Sequence, residues 1–252
     1  MKKLMAANWK MYKMRAEATA TASDLVARLD GRLPEDREVL VIPPFTALWA
    51  VGGAFAGKTG LSLGGQDLYP AKEGAFTGEI APDMLRDAGC RYVLTGHSER
   101  RHVLGEDDAF VGKKTAFGLA AGLSVILCVG EKVEERKAGQ LEAVVTRQLA
   151  AGLADVPSEV SPEALAVAYE PVWAIGTGLT AGPKEVEEAH AMIRAWLIER
   201  FGPQTGPSVR ILYGGSVKPG NAELLLGIDN VDGVLVGGAS LEAESFAAIV
   251  TA

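Results

Sequence analysis

The sequence predicts a closed, eight-stranded parallel (β/α)8 barrel, an α/β fold that occupies residues 1–252 as one domain. Three observations predict it. Short apolar runs, often β-branched, recur eight times, and most gaps between them carry helical spacing. The 252 residues shared among eight units give about 31 each, close to one strand–helix repeat. An open doubly wound sheet would carry a glycine fingerprint after its first strand, and here that strand runs into Asn8-Trp9-Lys10.

Leu4–Ala7 is the first strand, and the weakly helical Ala16–Leu29 follows it. Val39–Ile42 and Leu61–Leu63 are the second and third. Tyr92–Thr95 is the fourth, before a helix over Asp107–Ala121. Ser124–Val129, the fifth, precedes Gln140–Leu153. Leu165–Tyr169 is the sixth and leads to the clearest helix, Pro183–Phe201, where Val186, Ala189, Ile193 and Leu197 share a face and Pro183 suits the first turn. Val209–Tyr213 and the helical Asn221–Leu226 come next, and Val234–Val236 is the eighth strand. No linker or low-complexity tract divides the chain.

Composition narrows the function. The formal net charge is −7 and no basic stripe occurs, which argues against nucleic acid. Cys90 and Cys128 stand far apart with no second cysteine or histidine beside either, which points away from a metal site and toward a reduced, cytoplasmic protein. After Met1-Lys2-Lys3-Leu4, Asn8 and Lys10 interrupt the apolar stretch, so no secretion signal is expected. The longest apolar run, Leu123 to Val129, is too short to span a membrane.

Two motifs mislead. Gly52 to Thr59 reads GGAFAGKT and satisfies the phosphate-loop pattern, but it follows a helical stretch and precedes a strand, the reverse of the order that motif needs. Gly176-Thr177-Gly178 begins like a dinucleotide string, yet the next glycine, Gly182, comes one position late.

In such a barrel the chemistry sits where strands end and loops enter the helices. That rule selects Asn8 and Lys10, Gly96-His97-Ser98-Glu99, Glu170-Pro171, Gly214-Gly215-Ser216 and Gly237-Gly238. Glu170 reads as a general base if a closing loop removes water, or as a solvated strand-end carboxylate. His97 precedes Ser98, a good N-cap, so a nearby positive helix end would disfavour the imidazolium; a capping or core histidine is the alternative. His102 and His190 fit capping or core roles. The two glycine pairs suit phosphate binding on backbone N–H groups, or turn geometry alone. Lys10 would neutralise the dianion. Pro171-Val172-Trp173-Ala174-Ile175-Gly176-Thr177-Gly178 has the apolar front and glycine-rich back of a lid. Nothing in this set calls for a metal, nicotinamide or pyridoxal cofactor, which leaves proton transfer beside a carbonyl.

These residues resemble the triosephosphate isomerase family over nearly the whole chain. The resemblance rests on Asn8-Trp9-Lys10-Met11, Gly96 through Arg101, Tyr169 through Gly178, Tyr213 through Val217 and Gly237 through Leu241. It implies a TIM barrel without cofactor that interconverts dihydroxyacetone phosphate and glyceraldehyde 3-phosphate through an enediolate, in glycolysis and gluconeogenesis. Glu170 would be the base and His97 the electrophile. Lys10 and Asn8 would be electrostatic partners, and Gly176, Ser216, Gly237 and Gly238 would hold the phosphate, with Glu99 behind them. The family's lid continues Gly-Thr-Gly-Lys where this chain has Leu179. Gly74 through Glu79 resembles the family's dimer loop, so Phe76 and Thr77 are expected to enter a second subunit beside its Lys10 and His97, giving a homodimer. Two other readings compete: a Schiff-base aldolase built on Lys10, and a catalytically silent sugar-phosphate binding barrel.

Overall fold

A computed structural model describes residues 1–174 and 181–252. Eight parallel strands close in sequence order: β1 (Lys3–Asn8), β2 (Arg37–Ile42), β3 (Leu61–Gly65), β4 (Tyr92–Thr95), β5 (Ser124–Val129), β6 (Leu165–Tyr169), β7 (Arg210–Tyr213) and β8 (Gly233–Val236). β1 pairs with both β2 and β8, which seals the cylinder. At that seam Leu4 faces Gly233, whose φ is 149° and whose added Cβ would lie 2.1 Å from the Leu4 carbonyl oxygen, so closure there requires glycine.

Alternate residues along each strand serve two cores. Leu4, Ala6, Leu40, Ile42, Leu94 and Ile126 fill the barrel interior. Their neighbours, such as Met5, Val39, Val93 and Val125, pack outward against the helices. Burial on both faces is why the strands read as unbroken apolar runs rather than alternating ones.

The helices are α1 (Arg15–Leu29), α2 (Leu48–Phe55), α3 (Pro82–Asp87), α4 (Ser98–His102), α5 (Asp108–Ala120), α6 (Val133–Lys137), α7 (Leu141–Gly152), α8 (Pro183–Thr205), α9 (Pro219–Leu226) and α10 (Ala243–Val250). α8 runs past the expected end at Phe201 because a break at Gly202, with φ of 79°, joins it to one further turn. α10, which no periodic signal marked, packs Phe246 and Ile249 into the outer core. The GGAFAGKT stretch lies on α2 and the turn before β3, in the order that excludes a phosphate loop. Among the described residues no helix is long and apolar enough to cross a membrane.

Behind the barrel mouth lies a buried charge cluster. Lys114 Nζ sits 2.9 and 2.7 Å from the Asp67 carboxylate oxygens and 2.5 Å from Glu106 Oε1, and Arg100 Nε is 2.9 Å from Asp67 Oδ2. Burial, outweighing both cations, raises the Asp67 pKa to about 6, whereas hydrogen bonds from Arg100 and Lys114 overcome burial and hold Glu106 low. A carboxyl whose pKa rises on folding binds its proton more tightly folded than unfolded. The Asp67 contribution to stability is therefore fully present at low pH and lost as pH rises from the ordinary carboxylate range through about 6. Asp67→Asn removes this titration and leaves Lys114 paired with Glu106. It is expected to flatten the pH dependence of stability between about 4 and 6. Urea unfolding of both proteins across this pH range checks this; an unaltered slope contradicts it.

Candidate active site

The carboxyl ends of the strands surround a cavity of about 420 Å3 lined by Asn8, Lys10, His97, Glu170, Ser216 and both Gly237 and Gly238. A larger cavity of about 680 Å3 lies against Phe117 and Pro157, but it gathers no histidine and none of the strand-end residues, so the chemistry belongs to the smaller one.

Glu170 follows β6 directly and is 2% exposed. Its Oε2 accepts the Ser98 N–H at 2.8 Å, and its Oε1 lies 3.1 Å from His97 Nε2 yet makes no hydrogen bond. The backbone around it leaves no room: a Cβ on Gly130 would sit 1.7 Å from the Glu170 carbonyl oxygen, and one on Gly214 would sit 2.9 Å from its Cγ. The buried thiol of Cys128, at the end of β5, is held well above its ordinary pKa by burial first and by the charge of Glu170 second.

The structure corrects the capping assignment at His97. His97 itself is the N-cap of α4 and Ser98 is the first helical residue, because His97 Nδ1 accepts the Glu99 N–H at 3.3 Å. This contact turns the ring so that Nε2 is the nitrogen beside Glu170. Gly96, with φ of 66°, turns the chain at this point. A Cβ there would press on the buried Arg101 guanidinium, which donates to the Gly96 and Cys128 carbonyls.

Lys10 adopts φ of 52°, unusual for a side chain with a Cβ. Its amide donates to Asn8 Oδ1, and Gln66 Nε2 donates to its carbonyl at 2.7 Å, so the conformation is held from both sides. Asn8 is the last residue of β1 rather than the first of the loop. Lys10 Nζ pairs with Glu99 Oε1 at 2.7 Å and lies over the Gly237 backbone, where an added Cβ would come within 3.9 Å of it. The Ser240 hydroxyl, 2.7 Å from the Gly237 carbonyl oxygen and 3.0 Å from that of Val236, fixes the Gly237-Gly238 loop with its single proton, while Trp9 Nε1 donates to the Ser240 carbonyl. Asn221 Nδ2 donates to the Ser216 carbonyl in the neighbouring loop.

Pro171 is buried and Val172–Ala174 form a 3-10 turn. Ile175, Gly176, Thr177, Gly178 and Leu179 lie outside the described residues, and with them the expected phosphate contact of Gly176. Glu131, which the sequence reading passed over, is fully buried and anchors the first half of the lid. Its carboxylate accepts from the Tyr169 hydroxyl and, at 2.9 Å, from Trp173 Nε1. At the loop tip, Gly74 and Gly78 take φ of 149° and 97° and frame a compact knob in which Phe76 stacks on Tyr69 at 4.3 Å. Among the described residues no group of three or more His, Cys, Asp or Glu side chains gathers as for a metal ion.

An imidazole facing a buried carboxylate, in a barrel mouth where a lysine overlies a glycine loop, defines a barrel enzyme of acid–base chemistry on an anionic substrate. The family described as Triosephosphate isomerase matches residues 3–252. The chain is 64% identical over 252 residues to the triosephosphate isomerase of Nitratidesulfovibrio vulgaris (strain DP4), with both chains covered in full. It is 53% identical to that of Chloroflexus aurantiacus, over 98% of this chain and 97% of the other. The crystal structure of triosephosphate isomerase from Bartonella henselae superposes with a TM-score of 0.88 at 38% identity, covering 99% of this chain and 98% of that one. The chain belongs to the triosephosphate isomerase family. It is an isomerase, and the aldolase and silent-barrel readings are not favoured.

Proposed function

We propose that the chain interconverts dihydroxyacetone phosphate and glyceraldehyde 3-phosphate with Glu170 as the base and His97 as the proton shuttle. The 3.1 Å approach of Glu170 Oε1 to His97 Nε2 inside the cavity carries this reading. Glu170 takes a proton from the carbon next to the carbonyl, and the electron pair moves onto oxygen as the enediolate forms. His97 donates its Nε2 proton to one oxygen and recovers one from the other. Glu170 then returns its proton to the adjacent carbon, so no external oxidant or reductant enters. Lys10 and Asn8 face the developing oxyanion. Ser216, Gly237, Gly238 and Gly176 take the phosphate, and residues 171–178 close over it to exclude water.

Lys10→Met tests the phosphate assignment. It removes the cation over Gly237 and leaves Glu99 without its ion-pair partner, so an anion meets net repulsion at the mouth. Inhibition by inorganic phosphate is expected to weaken about tenfold, a loss of about 1.4 kcal/mol. Unchanged inhibition would remove Lys10 from the phosphate site.

The same reading brings three further expectations. One catalytic unit spans residues 1–252. The protein works in the cytoplasm on a small phosphorylated triose. It does so as a homodimer in which Phe76 and Thr77 enter the partner.

A further inference from the structure

The cavity that holds Glu170 and His97 is also lined by Lys218, which the reaction scheme leaves unused. Lys218 follows Ser216 and Val217 on the loop between β7 and α9, and it is the N-cap residue of α9. Its backbone is pinned there. The Lys218 N–H donates to Asn221 Oδ1 at 2.7 Å, while Asn221 Nδ2 donates to the Ser216 carbonyl at 3.1 Å. One amide side chain thus fixes the Lys218 backbone relative to Ser216. The turn uses only the backbone of Lys218; the residue is exposed, and its side chain makes no ion pair among the described residues.

Without Lys218 the charges around the cavity are poorly matched to a phosphorylated substrate. Lys10 and Lys218 are the lysines that line it, and Lys10 Nζ is held 2.7 Å from Glu99 Oε1. Glu170, as the base, contributes a carboxylate of its own, and the whole chain carries a formal charge of −7. The sequence from Ile175 to Thr180 contains no charged side chain. An approaching dianion therefore meets the Glu170 carboxylate, a lysine already committed to Glu99, and Lys218. A cation at the rim of a cleft raises the rate at which anions are captured, on the order of tenfold or more, and the effect falls with ionic strength.

We infer that Lys218 is a specificity-determining residue: its ammonium meets the substrate dianion at the cavity rim and sets the preference for phosphorylated over unphosphorylated trioses. A lysine on a fixed backbone suits this task, because its four-carbon stem lets a compact charge follow the anion as it settles. Lys10 overlies Gly237 on the β8 side of the cavity, and Lys218 serves the β7 side, beside Ser216. The inference rests on the placement of the phosphate proposed above. The simpler role is that of a solvated lysine that only begins α9.

Three substitutions separate these roles. Lys218→Gln removes the charge, Lys218→Glu reverses it and Lys218→Arg keeps it, and all three retain the backbone bond to Asn221. At about 20 mM salt, Lys218→Gln is expected to lower kcat/KM for glyceraldehyde 3-phosphate about tenfold relative to the native chain, Lys218→Glu to lower it further, and Lys218→Arg to keep most of it. The loss should lie in KM rather than kcat and shrink severalfold at about 300 mM salt. The preference over unphosphorylated glyceraldehyde should fall by the same factor. Losses equal at both salt concentrations, or a glutamate no worse than glutamine, overturn the proposal, because a residue that only begins α9 has no reason to respond to salt or to the sign of its replacement. Inhibition by inorganic phosphate separates this failure from that of the reading beneath it. If Lys10→Met weakens the inhibition and Lys218→Gln does not, Lys218 alone leaves the site; if neither does, the placement of the phosphate falls with it.

Discussion

Glu170→Gln is expected to fold like the native chain and to lose about two to four orders of magnitude in kcat, the usual share of general base catalysis. The substitution is nearly isosteric, and the crowding by Gly130 and Gly214 acts on the backbone and Cγ, which are unchanged. The amide oxygen can still accept the Ser98 N–H. What disappears is the capacity to take a proton from carbon. Turnover and thermal unfolding measured on one preparation decide the matter. Near-native turnover would remove Glu170 from the base role, and a collapsed unfolding temperature would show that the residue is needed to hold β6 in place.

Much of this site was legible because of how a barrel is built. Strands buried on both faces leave continuous apolar runs, and those runs point to the residues that follow them: Lys10, His97, Glu170, Ser216 and the Gly237-Gly238 pair. What supports those residues was not legible. Gln66 holds Lys10 from another strand, Glu131 holds Tyr169 and Trp173 from another loop, and Asp67 meets Lys114 across 47 positions. Such contacts are created by closure of the cylinder, and local spacing carries no trace of them. Short helices escaped for a different reason. α3 and α6 have six and five residues, too few for the 3.6 period to register. At His97 the usual preference for serine at the N-cap pointed one residue too far along, because an imidazole nitrogen accepts the orphan N–H that the serine was expected to take.

Phe76→Asp is expected to convert the proposed homodimer into monomers and to depress activity with it. The Phe76 ring is 43% exposed in the single chain even though it stacks on Tyr69, which in turn meets Phe110 edge-on. It is not alone. Met11, Tyr12 and Met14, just after Lys10, and Val103 and Leu104, at the end of α4, are also exposed large hydrophobics. Exposed apolar groups on the segments that carry Lys10 and His97 are what a subunit contact would cover. Covering the ring would contribute about 1.5 to 3 kcal/mol per side, and a two-fold interface uses each contact twice. A carboxylate at the tip forfeits that gain and must itself be desolvated to dock. Without the neighbour, the segments holding Lys10 in its left-handed conformation and His97 at the head of α4 lose their outer support. Sedimentation and turnover followed through one dilution series provide the check. A fully active monomer, or an assembly that stays intact, would show that this loop does not join two subunits.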